Sequence, residues 1–301
     1  MKNWLRILSL ALVLLMVLSA MPAFAAESEP EEDTPEDVVL LLDCSSSLTK
    51  NDPKNLCLEA CKNFIDQMPT QNARITVIGF GLDRGEWKTF SEVFQVHYNN
   101  DAKAISSIVP LSGLGDTEQK TEYKKTLAKI IAETRNAPSM GTPLGHALAA
   151  AVSLLEQSGT EKGKGCIIMV SDGVHTPRTL SQDEKFIDIA SKRAGEFSWP
   201  IYCVGLSYNI GNPDEAKAAK SLMGTICANS GQNRLGAISC ATPTDVFQSF
   251  KNIFADFYGI EVEPAKPMNL PGETSFEIPP LTSEANVDIF GYGIGKVILT
   301  F

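Results

Sequence analysis

Buried strands and amphipathic helices alternate along the central part of the chain. Residues 38–42 form an uninterrupted apolar run that ends in the polar residues DCSSS, a pattern typical of a parallel strand covered on both faces. Apolar residues then recur at helical spacing, at Leu56, Ala60, Phe64 and Met68. An apolar run from Ala73 follows and predicts a second strand. The alternation predicts a doubly wound α/β fold with a mostly parallel sheet and helices on both faces.

The same alternation continues to residue 259. Thr142 is a good N-cap residue and Pro143 suits the first helical position, so we expect a helix from here to about Gln157. Further strands are expected at 166–170, 201–206 and 237–240, and further helices at 182–195, 214–228 and 244–258. The α/β domain therefore spans residues 38–259.

One edge strand is expected to run against the others. Residues 86–98 alternate between apolar and polar and follow the second strand closely. A connection this short favours a hairpin and antiparallel pairing. Residues 99–140 are less regular and read as an elaboration, with one helix whose shared face carries Tyr123, Leu127, Ile130 and Thr134.

The two ends of the chain differ from its centre. Residues 1–25 have a basic start, an apolar run and a small-residue cleavage site, which are the features of a secretory signal peptide. A retained membrane anchor is the alternative, although the run is short for a span of roughly 20 residues. Residues 26–37 form an acidic linker, and 260–301 a β-rich segment that packs on the α/β domain or begins a second, truncated domain. We expect a secreted protein or one on the extracellular cell surface, with wall or membrane attachment through a missing C-terminal region as one possibility.

Composition narrows the class of protein and of partner. The 301 residues are 44% hydrophobic and carry a net charge of −10, which suits a globular chain with a substantial core. No long basic run is present to neutralise phosphates. Nucleic acid is therefore excluded as an expected partner.

The seven cysteines leave at least one unpaired if all disulfides are internal. Cys57 and Cys61 lie four apart on one helical face, where the geometry disfavours a disulfide, and we expect them in the core. Cys227 and Cys240 are a better candidate pair, although the sequence leaves the connectivity open. Zinc is disfavoured because the three histidines lack ligand spacing.

Oxygen-bearing side chains lie at three points where the predicted elements meet. Asp43, Ser45 and Ser47 follow the first strand, Thr142 begins a helix, and Asp172 follows the strand after that helix. If the strand order is 3-2-1-4-5-6, the first and fourth strands are neighbours and these loops meet at one sheet edge. Two carboxylates and three hydroxyls suit Mg²⁺, with Ca²⁺ or Mn²⁺ as alternatives. A site with so few carboxylates leaves a place for an acidic group of a partner.

Three motifs carry a resemblance to a known family. The residues DCSSS at 43–47, GTPLGHAL at 141–148 and VSDG at 170–173 resemble the metal-ion-dependent adhesion site (MIDAS) of von Willebrand factor type A (VWA) domains. The resemblance covers about residues 37–258. It implies a VWA fold and a non-catalytic protein that binds a protein ligand through a divalent cation, with an acidic partner group completing the metal shell. The long stretch between Tyr98 and Gly141 departs from the commonest pattern.

The resemblance also implies a role for each site residue. The hydroxyls of Ser45, Ser47 and Thr142 would contact the ion directly, while Asp43 and Asp172 would often act through water. Cys44, inside the motif, is expected to pack under the loop.

Two other functions are compatible with parts of the pattern. A phosphatase of the haloacid dehalogenase type would use Asp43 as its nucleophile with Mg²⁺, but its general acid would be at position 45, where this chain has serine. A scaffold in an envelope complex would be held by the last 40 residues and would use the metal only structurally. His146 and His175 lack an evident acid partner in the sequence and are expected to be ordinary surface histidines.

Overall fold

The computed structural model describes residues 36–45, 47–52, 55–68, 73–81, 105–113, 117–135, 141–176, 180–206, 212–231 and 234–259. The predicted signal peptide, the predicted strand at 86–98 and the C-terminal segment from 260 lie outside these ranges. None of the helices in the described ranges combines the length and the apolar character that crossing a membrane requires.

Within the described ranges, six strands form a single sheet in the order β3-β2-β1-β4-β5-β6. The strands are β1 (Glu36–Asp43), β2 (Ala73–Phe80), β3 (Ile105–Gly113), β4 (Gly165–Ser171), β5 (Ile201–Leu206) and β6 (Ala237–Cys240). The pairs from β2 to β6 are all parallel, and β3 runs antiparallel to β2. The predicted doubly wound fold and strand order are confirmed.

Helices cover both faces of the sheet. They are α1 (Leu48–Asn51), α2 (Leu56–Gln67), α3 (Thr117–Arg135), α4 (Leu144–Gln157), α5 (Leu180–Glu196), α6 (Pro213–Ser230) and α7 (Pro243–Tyr258). Apolar residues of α2, α3 and α7 form one core, and those of α4, α5 and α6 form another on the opposite face.

The central strand β1 shows why its apolar run is uninterrupted. Val38 and Leu40 lie in the core with α2 and α7, whereas Val39 and Leu41 lie in the core with α4 and α5. All four are fully buried. A strand covered on both faces has no solvent side, so the alternation between apolar and polar residues disappears.

The antiparallel edge strand is not where the sequence predicted it. The partner of β2 is β3, at Ile105–Gly113, within the stretch expected to be irregular. Its sequence, ISSIVPLSG, contains three serines and a proline, which hide the apolar alternation. Proline is tolerated at a sheet edge because the strand needs a hydrogen-bonding partner on only one side.

The start of β1 lies two residues inside the predicted acidic linker. Glu36 and Asp37 pair with β2, and Asp37 is fully buried. Arg74 donates two hydrogen bonds of 2.6 Å to its carboxylate, and the Thr160 hydroxyl donates another. These donors explain how an acidic residue enters the sheet, because a buried charge needs paired partners.

The candidate pairing of Cys227 with Cys240 is wrong. All seven cysteines are buried, and these two belong to the cores on opposite faces of the sheet. The sheet itself therefore separates them. Cys57 and Cys61 are buried in the core of α2, as expected.

Candidate metal centre

The carboxyl ends of β1 and β4 bring two site aspartates to one edge of the sheet. Asp43 is the last residue of β1, and Asp172 directly follows β4. These strands are parallel neighbours. Ser171 donates a hydrogen bond of 2.6 Å from its hydroxyl to Asp43 Oδ2, so the two strand ends are joined beside the carboxylates.

The loop after β1 folds back around Asp43. The backbone N–H of Ser45 donates to Asp43 Oδ1 at 2.8 Å, a local turn typical of aspartate. The hydroxyls of Ser45 and Ser47 lie 2.8 Å apart and share a hydrogen bond. Cys44, between them in the motif, is buried, as expected. The loop therefore presents two hydroxyls together beside a buried carboxylate.

Asp172 is held by Asn51, a residue that the sequence motifs do not include. Asn51, at the end of α1, donates from Nδ2 to Asp172 Oδ2 at 2.9 Å, and the N–H of Val174 donates to Oδ1 at 3.1 Å. Asp172 is 1% exposed. The sequence signal that could have indicated Asn51 is its position, because it is a polar residue four positions after Ser47 on the short helix that follows the motif.

Thr142 does not cap α4 in the way the sequence predicted. The helix begins at Leu144 with Pro143 at the cap position and no side-chain cap hydrogen bond. Asp183 accepts the hydrogen bonds of this helix terminus instead. The N–H of Gly145 donates to Asp183 Oδ2 at 2.8 Å, and the N–H of His146 donates to Asp183 Oδ1 at 3.0 Å. Because α5 supplies this cap, the buried hydroxyl of Thr142 does not have to satisfy the helix terminus.

Two glycines allow the loops to approach closely. A Cβ on Gly81 would lie 3.0 Å from the N atom of Ser45 and 3.2 Å from the O atom of Gly141, so these three backbones meet. Gly141 has a φ of +112°, and a Cβ there would lie 2.0 Å from the O atom of Thr176. The N–H of Thr142 donates to that same oxygen at 3.1 Å. The Thr142 loop is thus tied to the Ser45 loop and to the loop that carries Asp172.

The family model of the von Willebrand factor type A domain matches residues 37–235. This chain belongs to the von Willebrand factor type A domain family. Among solved structures, two crystal structures of the pilus adhesin SpaC from Lactobacillus rhamnosus GG, one of them in an open conformation, are 15% identical to it, with TM-scores of 0.52 and 0.53. The matches cover 74% and 75% of this chain but only 30% and 31% of the adhesin. No curated protein matches this chain in sequence.

Burial and a neighbouring charge perturb the Asp43 carboxyl of this VWA domain. Burial raises the pKa of Asp43, and the neighbouring charge of Asp172 raises it further. The hydrogen bonds from Ser171 and Ser45 lower it, and the resulting pKa is about 7. Two acidic groups are buried close together, and ionising both is costly. A cation between them would remove that cost.

Asp183 forms a second polar cluster in the VWA domain, and it corrects the prediction for the histidines. His146 Nδ1 and His175 Nε2 both contact its carboxylate, the second at 2.6 Å, and His146 is buried. Burial alone would raise the pKa of Asp183, but the bonds from His146, His175 and Gly145 lower it to about 2. The cluster joins α4, α5 and the loop after Asp172.

Proposed function

We propose that this VWA domain is a non-catalytic binding module that uses a divalent cation to hold an acidic group of a protein ligand. The observation that carries the proposal is the meeting of two buried carboxylates and a pair of touching serine hydroxyls at one sheet edge. The proposed ligands are Asp43, Ser45, Ser47, Thr142 and Asp172.

The donor set fits a hard cation. Carboxylate and hydroxyl oxygens suit Mg²⁺, Mn²⁺ or Ca²⁺, and we propose Mg²⁺ first. Ser45, Ser47 and Thr142 would hold the ion through their hydroxyls, while Asp43 and Asp172 would balance its charge. The bound ion would supply a positive centre with an exchangeable position, since three of the five protein ligands are neutral.

An acidic protein ligand follows from that charge balance. A dication held by few carboxylates keeps water that another oxygen anion can replace. SpaC, which shares the fold, is described as a pilus adhesin. By analogy of fold we propose that this chain also acts outside the cell, as a secreted or surface protein. The serine at position 45 supports a binding role over phosphatase chemistry, because its hydroxyl is a poor general acid at neutral pH.

Calorimetric titration of the purified chain with MgCl₂ tests the metal site. We expect one ion per chain, and an affinity at least about tenfold weaker in Asp172→Ala and in the double variant Ser45→Ala/Ser47→Ala. Asp188→Asn is the matched control, because Asp188 is an exposed acidic residue paired with Lys192 on α5. Equal affinity in the wild type and in Asp172→Ala would contradict the proposal.

A random peptide display library tests the class of partner. The chain is immobilised in MgCl₂, the library is panned over it, and bound phage are eluted with EDTA. We expect the eluted peptides to be enriched in Asp and Glu, and not to bind Asp172→Ala. Recovery of the same peptides with EDTA present throughout, or peptides that are not enriched in Asp and Glu, would refute binding of an acidic group through the metal ion.

A further inference from the structure

Helix α6 packs along the length of strand β5, with a contact near each end of the strand. A Cβ on Gly205 would lie 3.2 Å from Met223 Sδ. At the other end of the strand, the N–H of Ile201 donates to Ser230 Oγ at 3.1 Å. The helix therefore runs antiparallel to the strand, with its early residues beside the end of β5 and its last residues beside the beginning.

Cys203 and Cys227 lie between these two contacts, one on the strand and one on the helix. Along the strand, Cys203 is two residues before Gly205, about 6.6 Å away on the same face. Along the helix, Cys227 is four residues after Met223, about 6 Å away on the same face. The equal steps bring the two cysteines together, close enough for the Cys227 thiol to raise the pKa of the Cys203 thiol. Both are buried in the same core.

We propose that Cys203 and Cys227 are a cross-linking site, at which a disulfide joins β5 to α6 when the chain folds in an oxidising compartment. This inference rests on the proposed location outside the cell, because disulfides persist there and not in a reducing cytosol. The two thiols lose two protons and two electrons to an external disulfide, which is reduced to two thiols. An oxidoreductase disulfide or oxidised glutathione supplies that oxidant.

The burial of the pair determines when the bond forms. Desolvation raises the pKa of the Cys203 thiol well above its ordinary value, so the folded protein offers little thiolate, the species that reacts. We therefore expect the disulfide to form during folding, before α6 has packed fully over β5 and buried the two thiols. Four of the other cysteines, Cys57, Cys61, Cys166 and Cys240, lie in the core across the sheet, so the folded structure does not favour any of them as the partner of Cys227.

The proposed cross-link would fix a helix that contacts the loop after Asp172. Gly173, next to Asp172, has a φ of +74°, and a Cβ there would lie 2.7 Å from Ala219 Cβ on α6. The backbone after Asp172 therefore rests directly on α6. Fixing α6 to β5 restricts the movement of this loop, so we expect Mg²⁺ to bind a few-fold more tightly to the oxidised chain. This consequence rests on the proposed function.

Refolding in glutathione buffer tests the cross-link itself. The unfolded chain is refolded with oxidised and reduced glutathione, quenched with acid, alkylated under denaturing conditions and digested with trypsin. Lys217 and Lys220 separate the two cysteines, so the bond appears as a linked pair of peptides. We expect five alkylated cysteines and a melting temperature roughly 5–10 °C above that of the reduced chain.

Controls make the result specific. Cys166→Ala should retain the linked peptides, while Cys203→Ser and Cys227→Ser should lose them. Seven alkylated cysteines in the refolded wild type, or a bond from Cys227 to a different cysteine, would overturn the proposal. A linked pair without Mg²⁺ binding in either redox form would leave the cross-link standing and refute the proposed function. Equal Mg²⁺ affinities in the two forms would refute the coupling through Gly173.

Discussion

Removing the charge of Asp43 should stabilise the metal-free protein, although it destroys the proposed metal site. The carboxyl pKa rises from 3.8 to about 7 on folding, so the ionisation of this group opposes the folded state increasingly above about pH 4 and fully above about pH 7. A shift of about three units corresponds to at most about 4 kcal/mol. Asp43→Asn removes this penalty but weakens the hydrogen bond from Ser171, at a cost of about 1 kcal/mol. We therefore expect a net gain of about 1–3 kcal/mol at pH 8.

The sign of the pH dependence makes this prediction specific. An acid whose pKa is raised in the folded state contributes stability that is fully present below the unfolded pKa and is lost as the pH rises through the folded pKa. In EDTA, the advantage of Asp43→Asn over the wild type should therefore grow between about pH 4 and pH 7 and then remain level. Urea unfolding at a series of pH values, followed by circular dichroism, measures it.

Magnesium should reverse the order of stability. The wild type is expected to gain stability with added MgCl₂ because the ion binds only the folded state, whereas Asp43→Asn should gain little. A variant that is less stable than the wild type at pH 8 in EDTA would refute the reasoning. A stability difference that does not change with pH would refute it as well.

Three further substitutions test other buried carboxylates by urea unfolding. Asp37→Asn removes the charge and one of the two acceptor oxygens that bind Arg74 and should cost about 3 kcal/mol, the opposite sign to Asp43→Asn; an unchanged stability would contradict the ion pair. Asp52→Ala removes the acceptor for the N–H groups of Leu56 and Cys57 and should lower the free energy of unfolding by about 1–2 kcal/mol. An unchanged free energy of unfolding would show that α2 does not need this cap. Because its pKa is lowered to about 2, Asp183 contributes stability above about pH 4 that is lost as the pH falls through 2. Asp183→Asn should therefore cost about 2 kcal/mol at pH 7 and converge with the wild type in acid; a constant difference would contradict this.

The central strands could be predicted because each carries its own signal. The apolar runs of β1 and β4 end in polar residues, and a strand buried on both faces requires that composition. The same strand ends hold Asp43 and Asp172, so the candidate site could be predicted once the strand order was assumed. The position of the edge strand β3 could not be predicted, because a strand at the side of a sheet tolerates serine and proline, and these residues interrupt its apolar pattern.

The partners of the site residues depended on contacts between distant parts of the chain. Asp183 lies 37 residues after His146 and Asn51 lies 121 residues before Asp172, and neither pairing has a local signature. The sequence preference of threonine for an N-cap was overridden at Thr142, since Asp183 satisfies the helix instead. The cysteine pairing failed for a similar reason, because the face on which a side chain lies depends on the register of helix against sheet.

A crystal structure of the chain grown in MnCl₂ tests the central claim most directly, because manganese scatters anomalously and replaces Mg²⁺ in oxygen sites. We expect an anomalous peak bounded by the hydroxyls of Ser45, Ser47 and Thr142, with Asp43 and Asp172 beside it. The absence of any peak among these five side chains, in crystals saturated with manganese, would contradict it.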